Sequence, residues 1–244
     1  ASTSKMLRQN VYHMPSLNMC GFLYSGADTG GFGGNASREL LLRWLAVSVF
    51  TPLMRNHSAI GTRKQECYRF RNTEDFKTII SLRYRLLPYL YSEYMKAALR
   101  QDMLIRPLAF DYPDDKKARE IEDQLMIGES IMIAPILEPG VKGRIVYLPE
   151  PMTEVRYNRE GFTCMDVGAG ERTAMAPLNT VVFYIRQGRL VPVGEPVSNT
   201  AEMDLLDVEL LGSGTVYEQY VDDGYTKACS LERCVLQRRE QAEG

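Results

Sequence analysis

The chain has 244 residues, of which 45% are hydrophobic and 25% charged, with 29 Lys plus Arg against 31 Asp plus Glu for a net charge of −2. That balance suits one large or two modest globular domains, supplies no basic field for nucleic acid or an acidic membrane surface, and leaves no apolar run long enough to span a bilayer. Five cysteines, an odd number without a C-x-x-C, read as reduced thiols of a cytoplasmic protein, and two histidines are too few for a rich metal site.

The opening residues "ASTSK" carry neither an initiator Met nor a signal-peptide pattern and pass almost at once into helical spacing, as a piece of a longer protein would. Leu7, Val11 and Met14 share one helical face, and Pro15 is expected to end that helix. The continuous apolar run "LNMCGFLYS" then predicts a buried parallel strand that stops at the glycine-rich "GADTGGFGG". Ser37 caps a helix through Val49 whose apolar residues go most of the way round, which predicts deep burial. "FTPLMRNHS" predicts a second short strand with polar residues at its end. Asn72 and Thr73 open a long helix striped by Phe76, Ile79, Ile80, Leu86, Leu87, Leu90 and Tyr94, with Pro88 inside it as a kink. Helices alternating with strands imply parallel pairing.

Beyond residues 101–105 the pattern changes. A helix over Asp115–Ile127, ended by Gly128, precedes strand-like runs: "SIMIAPI", "RIVYL", "TEVRY", "TVVFYIR", "RLVPV", "DVELL" and "GTVYEQYV". Turn signals at Pro139-Gly140, Asn158, Gly188 and Asp223-Gly224 separate them, which predicts an antiparallel β region. The tail "ACSLERCVLQRREQAEG" lacks clean alternation and is expected to be frayed or atypical. Asp222-Asp223 reads as a turn, because the calcium-loop pattern is absent.

The glycines around Asp28 admit several readings. Gly31-Phe32-Gly33-Gly34-Asn35-Ala36 fits G-x-G-x-x-A between a strand and a helix, but the acidic residue expected after the next strand is missing, and Asp28 would repel a pyrophosphate. A P-loop lacks its G-K-[ST]. The mouth of a (β/α) barrel, where chemistry sits at the C-terminal ends of strands, fits better. Two successive strands would end there in Asp28 with Phe32 and in Arg55 with His57. A carboxylate, a guanidinium, an imidazole and an aromatic ring suit a sugar, whose hydroxyls take hydrogen bonds and whose apolar face packs on a ring. Each residue also has a plainer reading. Asp28 alone is first a loop or capping residue, His57 a structural histidine, Arg55 an ion-pair partner and Phe32 an anchor under the loop. The tyrosines of "YRLLPYLYSEY" read as core.

"SGADTGGFGG", "FTPLMRNHS", "LRYRLLPYLYSEYMKAA", "EDQLMIGESIMIAPIL", "VFYIRQGRLVPV" and "YVDDGYTK" occur in the same order in glycoside hydrolase family 31, the α-glucosidase family, and the chain resembles that family over roughly residues 15–227, its bacterial members most. The resemblance implies an α/β plus all-β chain. Residues 1–102 would be the C-terminal part of a (β/α)8 TIM barrel holding its last two strands and helices. An antiparallel β-sandwich would follow at 103–198, then a partial distal β domain and tail at 199–244. It implies a retaining α-glucosidase-type hydrolase releasing terminal α-linked glucose, with an α-xylosidase, a transglucosidase or a non-catalytic carbohydrate-binding or structural fragment as alternatives. The two carboxylates of such enzymes, about 5–5.5 Å apart, belong to motifs after the fourth and sixth strands that this sequence does not contain. The chain alone is therefore expected to be inactive, and its partners would be an α-glucoside oligosaccharide, the missing N-terminal part of the barrel, and a second copy of itself. No metal or organic cofactor is implied. What the resemblance carries over is the substrate-binding set: His57 on a sugar hydroxyl, Phe32 lining the same pocket, and Asp28 and Arg55 at its base. For the last two, sugar contact and scaffold both stay open. Thr29 departs from the family, which often has an apolar residue there.

Overall fold

The computed structural model describes residues 1–239. Helix α1 (Ser4–Met19) starts where the Thr3 side chain accepts a hydrogen bond from Met6 N and buries Leu7, Val11 and Met14. It does not end at Pro15 as the sequence predicts. Proline removes one backbone donor, but Pro15 is buried against the core, and the helix runs on to Met19. The expected strand Leu17–Ser25 therefore loses its first residues to the helix, and Phe22 and Tyr24 are each 65% exposed. Segment 50–58 is likewise not a regular strand. The two segments still lie side by side in parallel, joined by the Asp28–Arg55 bridge and by Leu53 N to Ser25 O (3.1 Å) and Thr29 N to Arg55 O (2.7 Å). A parallel ladder needs a neighbour on each edge to become a sheet interior; each segment here has only the other.

Helix α2 (Arg38–Ser48) begins at Ser37, whose hydroxyl accepts from Leu40 N at 3.1 Å. It is buried nearly all round, Trp44 included. Helix α3 (Thr73–Arg100) is the longest element and passes through Pro88. Its Phe76, Ile79, Leu86 and Leu90 are buried, as is Tyr89, whose hydroxyl donates to Ile127 O. The Arg83 guanidinium on α3 donates to Val49 O, Thr51 O and Pro52 O at 2.7–3.0 Å, clamping the segment that leads to Arg55. Burial lowers its pKa to about 10, so it stays charged at neutral pH.

The β region follows, all of it antiparallel. The main sheet has six strands in the order β1 (Ile105–Pro107), β2 (Leu125–Ile127), β3 (Ile131–Ile133), β8 (Val181–Arg186), β5 (Met152–Asn158) and β6 (Gly161–Val167). Two-stranded ribbons pair β4 (Gly143–Leu148) with β7 (Gly170–Met175), β9 (Leu190–Val193) with β10 (Glu209–Gly212), and β11 (Val216–Tyr220) with β12 (Cys234–Arg238). Alternation along each strand assigns the two faces of the main sheet to different cores. Leu125, Ile127, Ile131, Ile133, Phe183 and Ile185 join the helices in one cluster. Met126, Met132 and Tyr184, their neighbours in sequence, face a second cluster built with Val146, Leu148 and Ala174 of the β4–β7 ribbon. This is a sheet sandwiched between helices and a ribbon.

Two further expectations fail. The helix over Asp115–Ile127 reduces to a 3-10 turn at Ala118–Glu120, and Leu125–Ile127 is strand. Asp115 does accept from Lys117 N and Ala118 N, but the charged residues beyond it offer no apolar stripe to bury, whereas Leu125, Met126 and Ile127 are buried on both faces of the sheet. The tail is not frayed throughout: Cys234–Arg238 forms β12 against β11, and the part of that expectation falling on residues 240–244 lies outside the described residues.

Candidate functional site

The glycine-rich loop owes its path to two close approaches. A Cβ on Gly26 would lie 2.1 Å from Leu53 O, so only glycine lets the two parallel segments touch there. Gly31 has φ +87°, and a Cβ there would meet Ala1 O at 2.5 Å. Between them, Thr29 is fully buried and its hydroxyl donates to Ser48 Oγ at 3.1 Å. A polar side chain is accommodated in the core because α2 supplies the partner.

All four residues named from the sequence come together at the end of these segments. Arg55 Nε and Nη2 both donate to Asp28 Oδ1, at 2.9 and 2.7 Å. The Phe32 and His57 rings lie 5.3 Å apart at a tilt of 32°, and Ala59 N donates to Phe32 O at 2.9 Å. Phe32, Arg55 and His57 are exposed and Asp28 half-buried. The arrangement is a charge-paired carboxylate beside an aromatic–imidazole stack, open to solvent. Both guanidinium contacts fall on the same carboxylate oxygen of Asp28. Among the described residues no group of three or more His, Cys, Asp or Glu is placed to hold a metal ion.

A residue the sequence reading does not single out joins the two segments. Gln65 is buried, and its Nε2 faces Thr29 O and Gly31 O, both at 3.3 Å, and His57 O at 3.2 Å. Asn56 Nδ2 in turn donates to Gln65 O at 2.9 Å. Gln65 sits within the charged run "TRKQECYR", which carries no periodic signal.

Residues 1–93 match the model described as "Glycosyl hydrolases family 31 TIM-barrel domain", and residues 101–191 match the "Glycosyl hydrolase family 31 C-terminal domain". The chain belongs to glycoside hydrolase family 31, and its fold is the end of that TIM barrel followed by the C-terminal β domain. It is 34% identical over 217 residues to "Alpha-glucosidase 2" of Bacillus thermoamyloliquefaciens, covering 86% of this chain and 27% of the relative. It is 36% identical over 219 residues to the "Alpha-glucosidase" of Aspergillus niger, covering 86% and 22%. Among solved structures, the Flavobacterium johnsoniae GH31 dextranase complexed with glucose superimposes with a TM-score of 0.80 at 28% identity, covering 92% of this chain and 29% of that one. The chain thus spans about a quarter of the length of these relatives.

Proposed function

We propose that this chain is the substrate-binding end of the barrel, with the β domains behind it, of an α-glucosidase-type glycoside hydrolase that releases terminal α-linked glucose with retention. The observation that carries the reading is the convergence of the Phe32–His57 stack and the Asp28–Arg55 pair where the two parallel segments end. His57 would bond a glucose hydroxyl, Phe32 would pack on the sugar's apolar face, and Asp28 with Arg55 would fix the polar floor. The names of the relatives support glucose as the sugar. The nucleophile and the general acid/base would come from earlier barrel strands, so the 244 residues by themselves would bind sugar without cleaving it.

The test is His57→Ala in an enzyme that includes this chain, read as a pair of measurements. A site built to hydrogen-bond a hydroxyl loses more than a mean bond when one partner goes, because the other polar groups are left behind. The expected loss in kcat/KM is on the order of 2–4 kcal/mol, with part of it in kcat. A structural histidine would instead lower Tm and leave kcat/KM of the folded fraction near wild type, which would sink the sugar-contact assignment.

A further inference from the structure

We propose that Gln65 is a positioning residue: its side-chain amide clasps the two loop segments and fixes the Phe32–His57 stack in the arrangement that meets the sugar. The inference rests on the sugar-binding reading of those two rings for its purpose, but not for its geometry.

Three carbonyl oxygens converge on Gln65 Nε2, two from the Asp28 segment (Thr29, Gly31) and one from the His57 segment. Carbonyls only accept, so the orientation of the amide is settled: its NH2 must face them. Two hydrogens serve three acceptors, which accounts for the uniformly long 3.2–3.3 Å distances. The amide oxygen is thereby turned inward, where Oε1 is buried without a hydrogen-bond partner. Native structures leave few such groups. Here the unpaired oxygen is the counterpart of aiming the NH2 at both segments at once. Gly30 makes room for it, since a Cβ there would come within 3.3 Å of Oε1 and 2.9 Å of Leu41 Cδ1. The carbonyl bonded from the second segment is that of His57 itself, and the Gly31 carbonyl immediately precedes Phe32. Gln65 therefore holds the backbone at both rings, alongside Ala59 N to Phe32 O and Ser2 Oγ to Gly31 O at 3.1 Å; of these ties only Gln65's reaches the His57 carbonyl.

The chain's two histidines make this testable by NMR. His13 is exposed on α1 and serves as the internal control. His57 ring protons lie in the ring-current field of Phe32, and Phe32→Leu supplies the value without the stack. Gln65→Met keeps length and volume but removes the amide. It is expected to move the His57 resonances at least half of the way to the Phe32→Leu value while leaving His13 unchanged. Gln65→Glu, which points a carboxylate at three carbonyls at neutral pH, should move them further. In a titration with glucose followed on His57, Gln65→Met should weaken the response at least threefold. If wild type shows no glucose response but Gln65→Met still uncouples the rings, the sugar-binding reading fails and the positioning role stands. If Gln65→Met leaves His57 at its wild-type position, the positioning role is wrong, whatever happens to Tm. Should Gln65→Met not fold, Asn56→Ala at an exposed position releases Gln65 O and is expected to shift His57 in the same direction; no shift there would also overturn the proposal.

Discussion

At the scale of single residues, Asp28 and Arg55 show how a surface ion pair can matter for orientation more than for stability. Two guanidinium nitrogens grip one carboxylate oxygen, and Arg55 keeps over half of its side chain in solvent, so the pair adds less than about 1 kcal/mol to folding. Lysine cannot reproduce the two-pronged grip. Arg55→Lys is therefore expected to leave the thermal midpoint within a degree or two of wild type while weakening the glucose response of the site, measured side by side by calorimetry and titration. A midpoint drop as large as that of a core truncation would mean the pair is scaffold. The meeting of Asp28, Phe32, Arg55 and His57 could be read from the sequence because glycines and polar residues interrupt apolar runs there. Gln65 could not, since a neutral amide among charged neighbours gives no pattern, and its importance comes from carbonyls contributed by two distant segments. The Thr29–Ser48 bond was equally hidden: each hydroxyl looks misplaced until the other is seen opposite it.

At the scale of elements, α3 is the member on which both halves are built, and its C-terminal half carries a buried charge cluster. Lys96 and Glu93 are buried, with Lys96 Nζ 2.6 Å from Glu93 Oε1 and 3.0 Å from Glu129 Oε1. Tyr217 donates to Glu93 Oε1 at 2.5 Å, and Glu129 N donates to Glu93 Oε2 at 2.8 Å. Removing one member of such a cluster leaves the others buried and uncompensated. Lys96→Met is expected to cost about 3 kcal/mol, read from denaturant unfolding. Burial alone would push Lys96 down, but Glu93 and Glu129 outweigh it and hold the amine above its ordinary value. Burial alone would push Glu129 up, but Lys96 and then Arg189 hold it below the ordinary carboxylate range. The Lys96 contribution is therefore complete below about pH 10.4 and lost as pH rises through its folded value, and the Glu129 contribution is complete above about pH 4.3 and lost as pH falls through its folded value. The stability gap between wild type and Lys96→Met should be widest between those limits and close on both sides; a gap flat with pH would rule out the electrostatic account. Strands β3, β4, β5, β8, β9, β10 and β11 were legible in the sequence as apolar or alternating runs. β6 was not, because as an edge strand most of its residues face solvent. β7 was hidden by a polar face too, β12 by the lack of alternation in "CVLQR", whose Val235 and Leu236 are exposed, and β2 was concealed behind charged residues that imitate the start of a helix.

At the scale of the whole molecule, one apolar cluster runs without a break from Leu7 in α1 to Tyr217 in β11, so the barrel segment and the β region have no seam between them. The stretch from Leu17 to Tyr24 is different. Leu17, Met19, Phe22 and Tyr24, close together in sequence, are 42–65% exposed, and their backbone from Cys20 on has no ladder. Apolar surface of that kind associates. The chain is expected to self-associate with rising concentration in light scattering, and Phe22→Ser with Tyr24→Ser should shift the mass toward monomer. A monodisperse monomer at all concentrations, with no binding of a hydrophobic dye, would refute this. The ties that close the molecule also impose an order of events during synthesis. Arg43 reaches Ala176 O, 133 residues away, and Tyr91 reaches Asp222, 131 residues away. At roughly 5–20 residues per second, α2 and α3 leave the ribosome on the order of ten seconds before the residues these two ties reach. Tyr89 meets its sheet partner Ile127 only 38 residues on, so the first strands can dock early, and the ties of Arg43 and Tyr91 close last over helices already in place.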